Sequence, residues 1–205
     1  MIELYTANTP NGKKISIMLE EIGYEYNVNT IDLNKGDQFN PEFKKISPFS
    51  KIPVIKDHDN NEVIFESGAI LIYLAEKSGK YFDDKNIITQ WLMAQMGYVG
   101  PILGQHHQFH HYNPGKSDFG EERYFKISKT IYKNLDDHLS MNEYLANEYS
   151  IADIATFPWI ARHPIHDIGL NKYTNLLRWY NQISLRPAVL KGYDLFKDGS
   201  IPPPA

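Results

Sequence analysis

The turn Thr9-Pro10-Asn11-Gly12 is the first group of residues in the chain whose types suit chemistry. It separates a strand-forming stretch from a helical pattern, so the first N–H groups of that helix would lack partners and carry a partial positive charge. Such a helix start stabilises an anion, and a thiolate is an anion. Lowering a thiol pKa by ~2 units from about 8.5 requires about 2.7 kcal/mol, which the Thr9 hydroxyl, main-chain N–H groups and the helix end could supply. The alternative is that Thr9 is only a helix cap and Asn11-Gly12 only a turn.

A second candidate site is Lys51-Ile52-Pro53-Val54-Ile55, where a proline directly precedes a buried strand pattern. If the bond before Pro53 is cis, the bend would aim the main-chain N–H and C=O groups of Ile52 outward, where an extended peptide could pair with them. The alternative is a trans proline at the start of a strand, because only about 5–6% of X–Pro bonds in folded proteins are cis. The residues themselves leave both interpretations open.

A third candidate site is Glu66-Ser67-Gly68-Ala69, where a carboxylate stands beside a residue type that helix N-caps prefer. The N–H groups at the start of the following helix suit a ligand carboxylate, and Glu66 suits a ligand ammonium. An amino acid carries both charges, so this pair would fit one. The alternative is a Ser cap with an acidic neighbour and no ligand.

These sites lie on elements that the residue pattern predicts in the order β-α-β-α-β-β-α. The segments are a strand at Met1–Ala7, a helix with Ile15, Leu19 and Ile22 on one face, a strand through Tyr26, Val28 and Thr30, a short helix at Pro41–Ile46, a hairpin of Val54-Ile55 with Val63-Ile64-Phe65, and a helix at Ala69–Lys77. The pattern therefore predicts a mixed α/β domain over residues 1–78, followed by a linker at 79–85.

Residues 86–205 carry mainly helical patterns and predict an all-α domain. A helix is expected over 87–111 with a kink at Gly100-Pro101, and another where Ile127, Ile131, Leu135 and Leu139 repeat every four residues. Ser150-Ile151-Ala152-Asp153 has the form of a capping box with Asp at the N3 position. The last residues, 201–205, predict an extended tail.

The composition is that of a globular protein, and it limits the partners and the reactions that the chain could have. Of the 205 residues, 42% are hydrophobic and 22% charged, and the net charge of −4 gives no basic surface for nucleic acid. No apolar run approaches ~18 residues, and the first residues lack the pattern of a secretory signal, so we expect no membrane partner and a cytoplasmic location. The chain has no cysteine, so any thiol chemistry must use a thiol that a ligand brings.

The segment 105–111 reads Gln-His-His-Gln-Phe-His-His and pairs His106 with His110, and His107 with His111, at a spacing of four residues. That spacing can bind a metal, but neither a cysteine nor a carboxylate motif accompanies it, and no metal site is predicted. We favour the interpretation that Gln105, His106 and Phe109 form a polar wall at the entrance of a binding site, where a second substrate would enter. The other interpretation is a solvated helix end.

Taken together, the turn at 9–12, the Ile52-Pro53 pair and Glu66-Ser67 resemble the thioredoxin-like domain of the glutathione transferase superfamily. Further motifs are similar to those of the bacterial nu class, whose members are glutathione-dependent disulfide-bond oxidoreductases: TPNGKK at 9–14, GDQF at 36–39, KIPV at 51–54, LGQ at 103–105 and ERY at 122–124. The resemblance extends over nearly the whole chain. It implies a thioredoxin-like α/β N-terminal domain with an all-α C-terminal domain, and a cis bond before Pro53.

The resemblance also implies a role for each matching residue. Thr9 and Asn11 would act as catalytic residues that face the sulfur of bound glutathione. The tripeptide itself would be bound by Asn11, Gln38, Lys51, Ile52, Pro53, Glu66, Ser67 and Arg123. Glutathione would be the co-substrate, without a metal or nucleotide: one glutathione thiolate attacks a disulfide, and a second glutathione resolves the mixed disulfide. The expected partners are glutathione or its disulfide, a small disulfide or electrophile, and a second copy of the chain in a homodimer.

Two alternatives to disulfide reduction stay open at this point. The first is a glutathione transferase or peroxidase that acts on electrophiles or hydroperoxides at the same site. The second is a non-catalytic scaffold that binds glutathione.

Overall fold

The structure is a computed structural model that describes residues 1–196 and 200–204, and these form two compact units. The first unit comprises Met1–Phe82 and the described residues of Pro187–Ser200, and the second comprises Asp83–Arg186 and the described residues of Ile201–Ala205. Each unit is described by itself below.

The first unit is built on a sheet of four strands: Ile2–Thr6 (β1), Tyr26–Thr30 (β2), Val54–Asp57 (β3) and Glu62–Phe65 (β4). The strand order is β2-β1-β3-β4; β1 runs parallel to β2 and antiparallel to β3, and β3 and β4 form a hairpin. Ile2 and Leu4 of β1 are buried together with Val54 and Ile55 of β3. The mixed sheet confirms the predicted thioredoxin-like fold class.

Three helices connect these strands or follow them: Pro10–Ile22 (α1), Pro41–Ile46 (α2) and Ser67–Ser78 (α3). Helix α1 begins after the N-cap Thr9 with a proline in its first turn, and it ends at Gly23, whose φ of 73° is left-handed. Its buried face includes Ile15 and Leu19, as the pattern predicts. The observed order of elements through α3 is the predicted β-α-β-α-β-β-α, with an added 3₁₀ turn at Asp37–Phe39.

The second unit is helical in the residues that the structure describes there. Its α-helices are Lys85–Ala94 (α4), Gly100–His106 (α5), Asp118–Leu139 (α6), Ile151–Ile160 (α7), His163–His166 (α8) and Thr174–Ser184 (α9). π-helical segments at Gln95–Val99 and His107–Tyr112 flank α5. On α6, the predicted stripe is confirmed, since Ile131, Leu135 and Leu139 are buried.

A capping box starts α7, and a buried carboxylate anchors it. Ser150 caps the helix, and the Asp153 carboxylate accepts hydrogen bonds from the Ser150 N–H (3.1 Å) and the Leu145 N–H (3.0 Å). The indole Nε1 of Trp179 donates a third bond to Asp153 over 2.8 Å. Burial raises the pKa of Asp153 to about 6, opposed by these hydrogen bonds. The predicted capping box is therefore present, and it joins α7 to α9.

The last helix, Pro187–Asp194 (α10), packs against α1 of the first unit, whereas the sequence pattern assigned all of 86–205 to the helical domain. The reason is a close approach at Gly192, where a Cβ atom would lie 2.7 Å from the main-chain N of Ile17. The Ser16 hydroxyl donates a hydrogen bond to the Gly192 carbonyl over 2.7 Å. Among the described helices, none combines the length and the hydropathy that crossing a membrane requires.

Candidate functional site

A pocket of about 130 Å³ opens in the first unit, at the start of α1, in the loop before β3 and at the junction of β4 with α3. Its lining residues are Asn11, Ser47, Phe49, Lys51, Ile52, Pro53, Phe65, Glu66 and Ser67. Six of these are predicted site residues from all three candidate sites, which are well separated along the chain. Pockets that enclose a whole small ligand usually measure ~300–1,000 Å³, so this one has room for part of a ligand, about one amino acid.

The start of α1 brings Asn11 to the pocket and holds Thr9 in the turn before it. The Thr9 side-chain oxygen accepts a hydrogen bond from the Gly12 N–H over 3.1 Å, so the predicted helix cap is present. An accepting hydroxyl keeps its own proton to donate elsewhere, so capping does not exclude contact with an anion. Thr9 is not among the residues that line the pocket, whereas Asn11 is.

The loop before β3 carries the Ile52–Pro53 bond, which is cis. Ile52 lies just outside the ladder that pairs β3 with β1, which begins at Val54. The Ser47 hydroxyl fixes the loop, because it accepts from the Lys51 N–H (2.9 Å) and donates to the Lys51 carbonyl (2.7 Å). The structure thus has the cis form of the two that the residues left open.

The start of α3 presents a carboxylate and a hydroxyl to the pocket. Glu66 occupies the N-cap position with a φ of 70°, in the left-handed region that a residue with a side chain seldom adopts. Ser67 is buried, and the Nζ of Lys14 on α1 donates a hydrogen bond to its Oγ over 3.3 Å. Burial lowers the pKa of Lys14 well below its usual range, and the charge of Glu66 opposes that shift.

Gln38, the remaining predicted ligand-binding residue of the first unit, does not line this pocket. It lies in the 3₁₀ turn at Asp37–Phe39, where its Nε2 is 3.5 Å from the Leu33 carbonyl. Its Oε1 is buried and has no hydrogen-bond partner among the described residues.

Three residues that line the pocket were not predicted as site residues from the sequence. Ser47 shapes the loop before β3, and the rings of Phe49 and Phe65 are 73% and 38% exposed. The pattern gave no signal for them, because a single Ser or Phe in a loop or at a strand end has no periodicity.

The predicted second-substrate residues lie in the second unit and differ in exposure. Gln105 is exposed, and Phe109 is half-buried with its ring stacked on Tyr124 at 5.3 Å. His106 is completely buried, and its Nε2 lies 2.8 Å from the main-chain carbonyl of His166. The prediction that His106 lines the entrance of a substrate site therefore disagrees with the structure, because a ring packed between other aromatic rings offers no surface. Arg123 is exposed on α6.

His107, another histidine of this segment, joins a buried hydrogen-bonded chain. The Nε2 atoms of His107 and His166 lie 2.7 Å apart, and the Nδ1 of His166 lies 2.6 Å from the Tyr132 hydroxyl. Desolvation lowers the pKa of His107 to about 3, and it lowers that of His166 well below its usual range. Among the described residues, no group of three or more His, Cys, Asp or Glu side chains is arranged to hold a metal ion.

Comparisons with known proteins agree with this architecture. Residues 1–76 match the model of the glutathione S-transferase N-terminal domain, and residues 117–187 match that of the C-terminal domain. The chain belongs to the glutathione S-transferase family. A relative in this family is the disulfide-bond oxidoreductase YfcG of Escherichia coli, which is 44% identical over 198 residues that cover 92% of each chain.

Solved structures of glutathione transferases have the same fold. One from Pseudomonas putida, with one glutathione disulfide bound per subunit, is 42% identical with a TM-score of 0.87, over 93% of this chain and 90% of that one. One from Burkholderia graminis, with two glutathione molecules bound per subunit, is 37% identical with a TM-score of 0.90, over 97% of this chain and 89% of that one.

Proposed function

We propose that this glutathione S-transferase family member is a glutathione-dependent disulfide-bond oxidoreductase that takes both reacting thiols from its ligands. The observation that carries the proposal is that Asn11, the cis Ile52–Pro53 pair and Glu66-Ser67 line the same pocket. The name of the Escherichia coli relative and the glutathione disulfide bound to the Pseudomonas putida protein support the same activity.

In this proposal, the γ-glutamyl end of glutathione occupies the part of the pocket beside α3. Its ammonium pairs with the exposed Glu66 carboxylate, and its carboxylate accepts hydrogen bonds from Ser67 and from N–H groups at the start of α3. The main chain of Ile52, next to the β3 ladder, pairs with the cysteinyl residue as an added strand would. Gln38, Lys51 and Arg123 remain predicted contacts to the rest of the tripeptide.

The cysteinyl sulfur then lies at the start of α1, near Asn11 and the Thr9 hydroxyl. Hydrogen bonds and the positive end of the helix favour the thiolate over the thiol. This thiolate attacks one sulfur of a bound disulfide, so that a mixed disulfide forms and one thiolate leaves. A second glutathione thiolate attacks the glutathione sulfur of the mixed disulfide, which releases glutathione disulfide and the second thiolate. Each leaving thiolate takes a proton from solvent, so two glutathiones are oxidised and one disulfide is reduced to two thiols.

The protein contributes position and electrostatics in this scheme, because its sequence contains no cysteine. Holding two sulfurs in line removes much of the entropic barrier of a bimolecular exchange. We also propose that the protein works in the cytoplasm as a homodimer.

The test is reduction of hydroxyethyl disulfide by glutathione, coupled to glutathione reductase, measured beside conjugation of glutathione to chlorodinitrobenzene. Fast disulfide turnover with slow conjugation is the expected result. The reverse pattern would assign the pocket to electrophile conjugation. If neither reaction is faster than without protein, while glutathione still binds, the scaffold alternative would replace the proposal.

A further inference from the structure

Lys14 is a buried titratable residue of the first unit that has no role in the proposed reaction. The side chain of Lys14, on α1, is 1% exposed, and its Nζ lies 3.3 Å from Ser67 Oγ. Ser67 lines the pocket, so Lys14 lies beneath its amino-acid end. A fully buried lysine is rare in proteins unless a partner compensates the loss of hydration.

We propose that Lys14 is a positioning residue that directs the Ser67 hydroxyl toward a ligand carboxylate, and that it takes up a proton when this carboxylate binds. The inference rests on the proposed function, because it needs a ligand with an amino-acid carboxylate at Ser67.

The hydrogen bond between the two side chains has a direction that depends on charge. An ammonium group only donates, so a charged Lys14 makes Ser67 Oγ the acceptor and turns the hydroxyl proton away from Lys14. A neutral amine can accept, and the hydroxyl proton can then point at Nζ. A carboxylate in the pocket needs the first arrangement, so it selects the charged form of Lys14.

Because of the charges around Lys14, binding of a carboxylate should change the protonation of this side chain, and that change can be measured. Burial disfavours the ammonium, and among the charged groups of the described residues Glu66, at the start of α3, acts against that effect. Of the charged side chains on α1 and α10, Lys13 lies over the Tyr193 ring at 4.0 Å, and Lys191 faces Glu20 at 4.0 Å. A ligand carboxylate at Ser67 adds negative charge beside Nζ and raises the pKa of Lys14, so binding takes up protons.

The experiment is isothermal titration calorimetry, in which the full chain is titrated with S-methylglutathione and the heat of binding is measured. The thioether of this ligand has no proton to release. Titrations in two buffers of different ionisation enthalpy, between about pH 6.5 and 8.5, give the number of protons taken up on binding. The wild-type chain is expected to take up a measurable fraction of a proton on binding. This measurement needs no variant, so it tests the inference even if substitutions at Lys14 prevent folding.

Lys14→Met is expected to abolish the proton uptake and to weaken binding about 10- to 100-fold, the range for a hydrogen bond to a charged group. Lys13→Met is the matched control, because Lys13 is the preceding residue on α1 and contacts Tyr193 instead. It is expected to keep the wild-type uptake and affinity. With a ligand that lacks the α-carboxylate, S-methylated γ-aminobutyryl-cysteinylglycine, the Lys14→Met penalty should disappear.

The thermal stability of the Lys14→Met variant distinguishes a positioning role of Lys14 from a structural one. Replacing the buried Lys14 amine by an apolar side chain of similar length removes the cost of burying a polar group, so the Tm of unliganded Lys14→Met should equal or exceed that of the wild type. A lower Tm with unchanged affinity would show a structural lysine and overturn the inference. Binding without proton uptake would also overturn it, and would leave the proposed function intact. Failure of the wild-type chain to bind S-methylglutathione would contradict both.

Discussion

Acidification should destabilise the second unit through its buried histidine chain, and His107 allows the size of the effect to be calculated. Desolvation, with smaller effects of Arg162, His106 and His111, lowers the pKa of His107 to about 3. An unfolded histidine has a pKa of about 6.5. Between these values the unfolded chain binds a proton that the folded chain does not. His107 therefore contributes stability above pH ~6.5 that is lost as the pH falls toward 3.

The magnitude follows from the width of that window. Each pH unit below the unfolded pKa removes about 1.4 kcal/mol per group. A change from about pH 7.5 to about pH 5 therefore removes about 2 kcal/mol through His107 alone. Asp153 acts in the opposite direction, because burial raises its pKa to about 6 and protonation relieves the buried charge. A comparison of variants that all keep Asp153 cancels its contribution.

The assay is urea denaturation at both pH values and at one protein concentration, for the wild type and for His107→Gln. The free energy of unfolding of His107→Gln is expected to fall by about 2 kcal/mol less on acidification than that of the wild type. His111→Gln is the matched control, since His111 is exposed on the same π-helical segment, and it should behave like the wild type. An equal fall for His107→Gln and wild type would refute the argument that burial holds His107 neutral.

Three further predictions concern single contacts, each read as a change in unfolding free energy from urea denaturation. Thr9→Ala should cost about 1 kcal/mol, because the Gly12 N–H loses its cap; no loss would mean that solvent replaces the cap. Gly192→Ala should cost about 1–3 kcal/mol, because its Cβ would meet the Ile17 backbone, while Gly97→Ala, which meets nothing within 4 Å, should cost nothing. Asp153→Ala should cost at least about 3 kcal/mol, because buried donors lose their acceptor; a cost below about 1 kcal/mol would contradict the hydrogen bonds described at α7.

The sequence predicts the first unit well where local patterns decide the structure. Alternating residues and a turn predict the β3–β4 hairpin, and a cap with a left-handed glycine bounds α1. The position of α10 could not be predicted, because it depends on a close approach to the Ile17 backbone. That approach is possible only because Gly192 has no side chain. A glycine inside a helical pattern gives no indication of what it packs against.

The residues of the candidate site also fall into those that the sequence predicts and those that it does not. Asn11, Ile52-Pro53 and Glu66-Ser67 each carry a local signal, and the thioredoxin-like topology brings these signals to one pocket. Lys14 carries no such signal, since a lysine on a predicted helix is expected to be solvated. The prediction that His106 lines the entrance of a substrate site disagrees with the structure, because the burial of His106 depends on partners distant in sequence. The main one is His166. Spacing within one helix cannot show such partners.

The proposed function requires that a chain without cysteine ionises the thiol of a bound ligand at the start of α1. The most direct measurement is a pH titration of the thiolate absorbance of glutathione bound to the protein, for the wild type and for Asn11→Ala. The pKa of the bound thiol is expected to fall by about 2 units from its free value and to return toward that value in Asn11→Ala. A bound thiol that titrates at the free value in the wild type would contradict the claim.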